Sequence, residues 1–183
     1  MNRFSLIFRG LSPTLLLLAA SVGLSAQPAG VTTVSAADGS AIVAPDSIAS
    51  SWGVNFTAGT SGAAMLPLPT MLEGIGVSIT DSAEAQAAAG LYMVSPSQIN
   101  LMVPAGAAVG VGSVTVSRPT GDRMGNIFIS NVAPTLFTVN MMGSGMAAGQ
   151  VLRVNGTVAN VDATLGSVAV GAANTNSYLM LYG

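Results

Sequence analysis

The chain has 183 residues, 50% of them hydrophobic and 7% charged, with a formal net charge of −2 at pH 7. It contains no Cys and no His, and its basic residues are all arginine: Arg3, Arg9, Arg118, Arg123 and Arg153. Ser-His-Asp and Cys-His relays, Cys/His zinc sites, thiol redox couples, Schiff bases and a P-loop lysine are therefore excluded.

Arg3 and Arg9 precede an apolar stretch from Leu11 to Leu24, after which comes Ser25-Ala26-Gln27. This is the layout of a secretory signal peptide cut after Ala26. The stretch is shorter than the roughly 20 apolar residues of a membrane helix, and it contains Pro13. The expected product is secreted or held at the cell surface, with no membrane span after cleavage. No cysteine is present to carry a lipid anchor or a disulfide, so the exported fold must rest on core packing. The mature region keeps Arg118, Arg123 and Arg153 against Asp38, Asp46, Glu73, Asp81, Glu84, Asp122 and Asp162. That acidic balance argues against nucleic acid and anionic lipid as partners.

In chain order the mature region reads as short strands between turn residues. Gly74–Thr80 alternates Ile75, Val77 and Ile79 with Gly76, Ser78 and Thr80. Ser113–Ser117 repeats the pattern with Val114 and Val116, and Asn126–Ser130 with Ile127 and Ile129. Such period-two alternation predicts strands with one face on a core. Further predicted strands are Val31–Val34, Ile48–Val54, Leu91–Val94, Ile99–Val103, Leu136–Val139, Val151–Val154, Val168–Val170 and Tyr178–Tyr182. Asp81–Ala89, rich in Ala, Glu and Gln, reads as a crossover loop with some helical character. Many short strands with Gly/Pro turns predict an all-β antiparallel sandwich. Its core is expected to gather Trp52, Ile75, Val77, Ile99, Val103, Val114 and Val116, so that Trp52→Ala would cost about 3–5 kcal/mol.

Ser47-Ile48-Ala49-Ser50-Ser51-Trp52-Gly53 is echoed by Ser177-Tyr178-Leu179-Met180-Leu181-Tyr182-Gly183. Both read Ser, apolar, three residues, aromatic, Gly, which suggests a second copy of an early strand. The expected organisation is a signal peptide over 1–26, a sandwich over 27–140, and over 141–183 a β-hairpin with the start of an incomplete second β unit.

Several runs carry a family resemblance. They are Pro45-Asp46-Ser47-Ile48 leading to Trp52-Gly53, Leu68-Pro69-Thr70-Met71-Leu72-Glu73-Gly74, Val94-Ser95-Pro96-Ser97-Gln98-Ile99-Asn100 with Val103-Pro104, and Ala133-Pro134-Thr135-Leu136-Phe137-Thr138. Together they resemble the C-terminal module of exported proteins of acidobacterial type, itself similar to the IPT/TIG branch of immunoglobulin-like sandwiches. The resemblance covers roughly 31–183 and implies an immunoglobulin-like sandwich. It marks Leu68, Pro69, Gly74, Ser95, Pro96, Gln98, Ile99, Asn100, Pro104, Pro134 and Phe137 as structural positions and brings no catalytic residues. The family usually has Gly where this chain has Asp46, a residue that also tolerates turn conformations. The family module continues past the position of Gly183, which implies a truncated or short member.

Other candidates reduce to ordinary structure. Gly143-Ser144-Gly145-Met146-Ala147-Ala148-Gly149 superficially matches a dinucleotide loop, but its spacing is off and no helix pattern follows, so it reads as a hairpin turn. Glu73, Asp81, Glu84 and Asp122 fall in predicted turns, where carboxylates are ordinarily solvated. Calcium has only weak leads at Asp38-Gly39-Ser40 and Asp162, so no metal or other cofactor is expected. Arg118–Arg123 reads as a hairpin tip, and Asn55-Phe56-Thr57 and Asn155-Gly156-Thr157 as sequons left unmodified in a bacterium.

The functional expectation is a non-enzymatic module with a structural, adhesive or protein-interaction role at the cell surface. A carbohydrate-binding accessory module, with Trp52 stacking on sugar, is the alternative, and an acid-residue glycosidase ranks behind both. The expected partner is an unidentified protein or polysaccharide, with self-association through residues 177–183, whose apolar strand lacks a polar cap.

Overall fold

The computed structural model describes residues 30–153, 158–160 and 177–183. The leader, Asp162, the Asn155 sequon and the expected strand Val168–Val170 lie outside the described residues. No helix occurs among those described.

The strands are β1 (Thr32–Ser35), β2 (Ile42–Val43), β3 (Ile48–Trp52), β4 (Ser61–Gly62), β5 (Met71–Leu72), β6 (Ile75–Thr80) and β7 (Gln86–Ala88). They continue with β8 (Gly90–Val94), β9 (Gln98–Met102), β10 (Gly110–Ser117), β11 (Arg123–Ile129), β12 (Gly149–Arg153), β13 (Val158–Asn160) and β14 (Ser177–Leu181). One sheet runs β1-β3-β9-β8-β4, and a second runs β2-β11-β10-β6-β5 with β7 also on β6. A separate three-stranded sheet runs β13-β12-β14. Pairing is antiparallel except between β2 and β11.

The chain is thus an all-β antiparallel sandwich, and the alternation of its strands explains why. Leu91, Val94, Ile99 and Leu101 of the first sheet and Val103 beyond it are 0% exposed. They share one core with Val43, Ile75, Val77, Ile79, Val114, Val116, Ile127 and Ile129 of the second sheet. Full burial of each such side chain stabilises by about 1.5–3 kcal/mol. Ser and Thr occupy much of the opposite parity, which lets each sheet turn its other face to water.

Trp52 is a correction: it is 45% exposed and lies on the outer face of the first sheet. In β3 the inward positions are Ala49 and Ser51, opposite the buried Leu101 and Ile99 of β9, so Ile48, Ser50 and Trp52 must point out. The aromatic that joins the core is Phe56, 4% exposed, whose ring lies over Gly53. A Cβ at Gly53 would stand 2.5 Å from that ring, so a larger residue there would push Phe56 out of its place in the core.

Asp81–Ala89 forms a turn and the strand β7, without the expected helical character. Asp81 Oδ1 accepts the N–H groups of Ala83 (2.9 Å) and Ala85 (3.0 Å), and Oδ2 that of Ala108 (2.8 Å). An aspartate that captures nearby amides offers the backbone an alternative to a helix, and here it overrides the propensity of the alanines. Leu136–Val139 likewise forms no strand; among the described residues it carries the isolated bridge Thr138↔Ala147.

Candidate functional site

The Ser95–Asn100 run builds the β8–β9 turn and aims two amides outward. Ser95 Oγ accepts the Gln98 N–H (3.0 Å) and donates to the Gln98 carbonyl (2.9 Å), closing the turn on itself. The carbonyls of Pro96 and Ser97 then accept the N–H groups of Phe56 and Gly53, each at 3.0 Å, which ties the β3–β4 loop to the turn. Ile99 enters the core, and Gln98 and Asn100 take the outer face.

On that face, cross-strand register sets Thr32 and Gln98 on either side of Trp52, and Val34 and Asn100 on either side of Ser50. Ser50 Oγ donates to Asn100 Oδ1 (2.8 Å), and Gln98 Nε2 donates to the same oxygen (2.8 Å). These bonds fix the amide plane of Gln98 beside the indole. The chain after β11 returns over the same sheet and makes a wall opposite Trp52. A groove of about 580 Å³ results, lined by Trp52, Ser50, Gln98, Asp38, Phe137 and Met142. Asp38 is the only ionisable side chain among its described lining residues.

The remaining motif positions are structural. Glu73 and Gly74, with φ of 51° and 74°, form the two-residue turn between β5 and β6, a primed turn that glycine favours. Leu68 packs on Gly90, and the Pro69 carbonyl accepts the Leu91 N–H (2.8 Å). The Pro104 carbonyl accepts the Ala107 N–H (3.1 Å) in the turn leading to β10. Pro134 and Phe137 line a hollow of about 280 Å³ against Ser47 and Ile48, and the Phe137 N–H donates to the Tyr182 carbonyl (2.8 Å). Asp46 holds φ at 61°, the left-handed conformation for which glycine is favoured.

Among the carboxylates, Glu73, Glu84 and Asp122 are exposed as expected, whereas Asp81 is only 8% exposed. The Ala108 N–H, acting against desolvation and joined by those of Ala85 and Ala83, holds the Asp81 carboxyl below its ordinary value. At Asp38 desolvation pushes upward, but hydrogen bonds from Ser40 and Ser35 outweigh it and the value is lowered. Its Oδ1 accepts the Ser40 N–H (3.0 Å) within the β1–β2 turn. Among the described residues no three acidic side chains cluster as metal ligands. Arg118 donates to the carbonyls of Gly121 and Asn55, so it braces the hairpin tip against the loop after β3.

Sequence reasoning missed Asp38, Phe137 and Met142 as neighbours of Trp52, because a long-range chain return brings them there. No family model matches the chain, and no curated protein matches it. A crystal structure of a candidate phosphatase from Bacteroides thetaiotaomicron is similar over 67% of this chain and 23% of that chain, at 14% identity and a TM-score of 0.34. A likeness that low carries no argument about fold or activity. Among the described residues no helix is long and apolar enough to cross a membrane.

Proposed function

We propose that the protein is an exported, non-catalytic immunoglobulin-like module with an adhesive or protein-interaction role at the cell surface, related to the acidobacterial-type C-terminal modules. The observation that carries the reading is the use made of Ser95–Asn100. Its turn atoms are spent on architecture, and the side chains left over, Gln98 and Asn100, join Trp52 on an open face. The Asp38 and Asp81 carboxylates are likewise engaged by backbone amides. The export part is tested by mass spectrometry of fractionated cells. The expected result is an N-terminus at or near Gln27 in the exported fraction; an intact Met1 chain in the cytosol overturns it.

The exposure of Trp52 favours a second reading, binding of a neutral saccharide. A half-exposed indole offers an apolar plate, and an amide fixed beside it offers hydrogen bonds, the pairing of body and polar handle that suits a ring with C–H faces and hydroxyl rims. Asp38 is the one ionisable residue among the described lining, and no cation stands there to attract a phosphate or carboxylate. Titrating the chain with soluble neutral polysaccharides while following its single tryptophan tests this. Saturable change that vanishes in Gln98→Ala supports saccharide binding, and no response across the panel removes it.

A further inference from the structure

We infer that β14 is a self-complementary edge through which two copies of the chain pair about a two-fold axis at Met180. Tyr178-Leu179-Met180-Leu181-Tyr182 reads the same in both directions. Laid antiparallel against itself with Met180 at the centre, it sets Tyr178 opposite Tyr182, Leu179 opposite Leu181, and Met180 opposite Met180. In an isologous interface residue i meets j and j meets i; here every such pair is like on like and apolar or aromatic, and cross-strand aromatic pairs stabilise it.

The hydrogen-bond phase of the third sheet agrees with that centre. β14 pairs with β12 so that Leu181 lies opposite Gly149 and Met180 opposite Gln150. The Tyr182 N–H donates to the Ala148 carbonyl, one step further along the same register. In an antiparallel ladder the bonded pairs alternate, so Met180 and Tyr178 turn their backbone groups toward β12 while Leu179 and Leu181 turn theirs away. A two-fold axis at Met180 is compatible with this arrangement: Met180 meets its copy at a non-hydrogen-bonded site, and the outward N–H and C=O groups of Leu179 bond those of Leu181 in the other copy. An axis on Leu179 or Leu181 would keep a bonded ladder but break the palindrome, and an axis between two residues would set an outward-facing backbone against an inward-facing one.

The surface of the strand fits the same occupant. Tyr178, Leu179, Met180, Leu181 and Tyr182 are 39–60% exposed, and among the described residues no strand borders the second edge of β14. Self-pairing sets like on like, which a charged edge forbids, and residues 177–183 include no Asp, Glu, Lys or Arg. The pairing continues the β13-β12-β14 sheet across the axis.

The test uses the absence of cysteine from the chain. Opposed residues at a non-hydrogen-bonded site have Cα atoms about 4.5 Å apart, within the roughly 4.4–6.8 Å that a disulfide spans. Met180→Cys should therefore give a covalent dimer under mild oxidation, whereas Val111→Cys, on an exposed sandwich strand, should stay monomeric. Sedimentation of the unaltered chain should show a concentration-dependent dimer. Leu179→Pro, which removes an N–H aimed away from β12, should abolish that dimer while leaving the melting temperature of the sandwich in place. An unaltered chain that is monomeric at all concentrations, or a Met180→Cys chain that cross-links no more than Val111→Cys, overturns the inference.

Discussion

In the sandwich, β9 buries Ile99 and Leu101 completely and turns Gln98 and Asn100 outward, and β6 does the same with Ile75, Val77 and Ile79. In the C-terminal sheet, β12 buries Gly149 and Val151, but each residue from Tyr178 to Tyr182 stays well exposed. Both regions use strands of similar composition. The difference lies in what faces them: each sandwich sheet meets the apolar face of the other, whereas the β14 side chains on both faces are only about half covered. Apolar residues in a strand thus form a core only where a second layer covers them.

The largest expected effect falls on the aromatic residues: Phe56, in the β3–β4 loop, joins the core, while Trp52 stands on the outer face of the first sheet. Phe56→Ala should cost about 3–5 kcal/mol, and Trp52→Ala, on the outer face, under about 1 kcal/mol, both read from denaturant melts. Equal losses would erase the distinction between inner and outer faces. Next comes the contrast between regions: Ile99→Ala should cost about 2–5 kcal/mol and Leu179→Ala under about 1 kcal/mol. A large loss for Leu179→Ala would mean that β14 belongs to a packed core.

The smallest effect concerns the turn that holds β7 on β6. Because the folded state depresses the Asp81 value from 3.8, its contribution is fully present above the ordinary carboxylate range and is lost as pH falls through the lower folded value. Asp81→Asn should flatten that part of the acid-side fall in melting temperature and lower stability near neutrality. An unchanged pH profile would show that the Asp81 bonds to Ala83, Ala85 and Ala108 do not hold the turn.

The longer strands were legible because Ile and Val alternate with Ser, Thr and Gly along the pleat in β6 and β10, and Ile127 and Ile129 flank Phe128 in β11. β2, β4, β5 and β7 have two or three residues each and are too short to show a period. Asp81–Ala89 misled because its composition favours a helix while one side chain decides otherwise. Trp52 misled because a large aromatic in a strand directly before Gly53 suits a sandwich core, yet in β3 the register makes Ala49 and Ser51 the inward pair. The polar contact of Ser51 Oγ with Thr33 Oγ1 (2.8 Å) sits on that inner face. The Ser95–Asn100 turn was legible from its proline and serines. The groove was not, since it depends on the register between β3 and β9 and on where the chain after β11 returns.

The partition of the first sheet into a core face and an open face is tested most directly by the fluorescence of Trp52, the only tryptophan in the chain. A half-exposed Trp52 should give a red-shifted emission in the folded protein and ready quenching by acrylamide. A blue-shifted emission protected from acrylamide would place the indole in the core and contradict it.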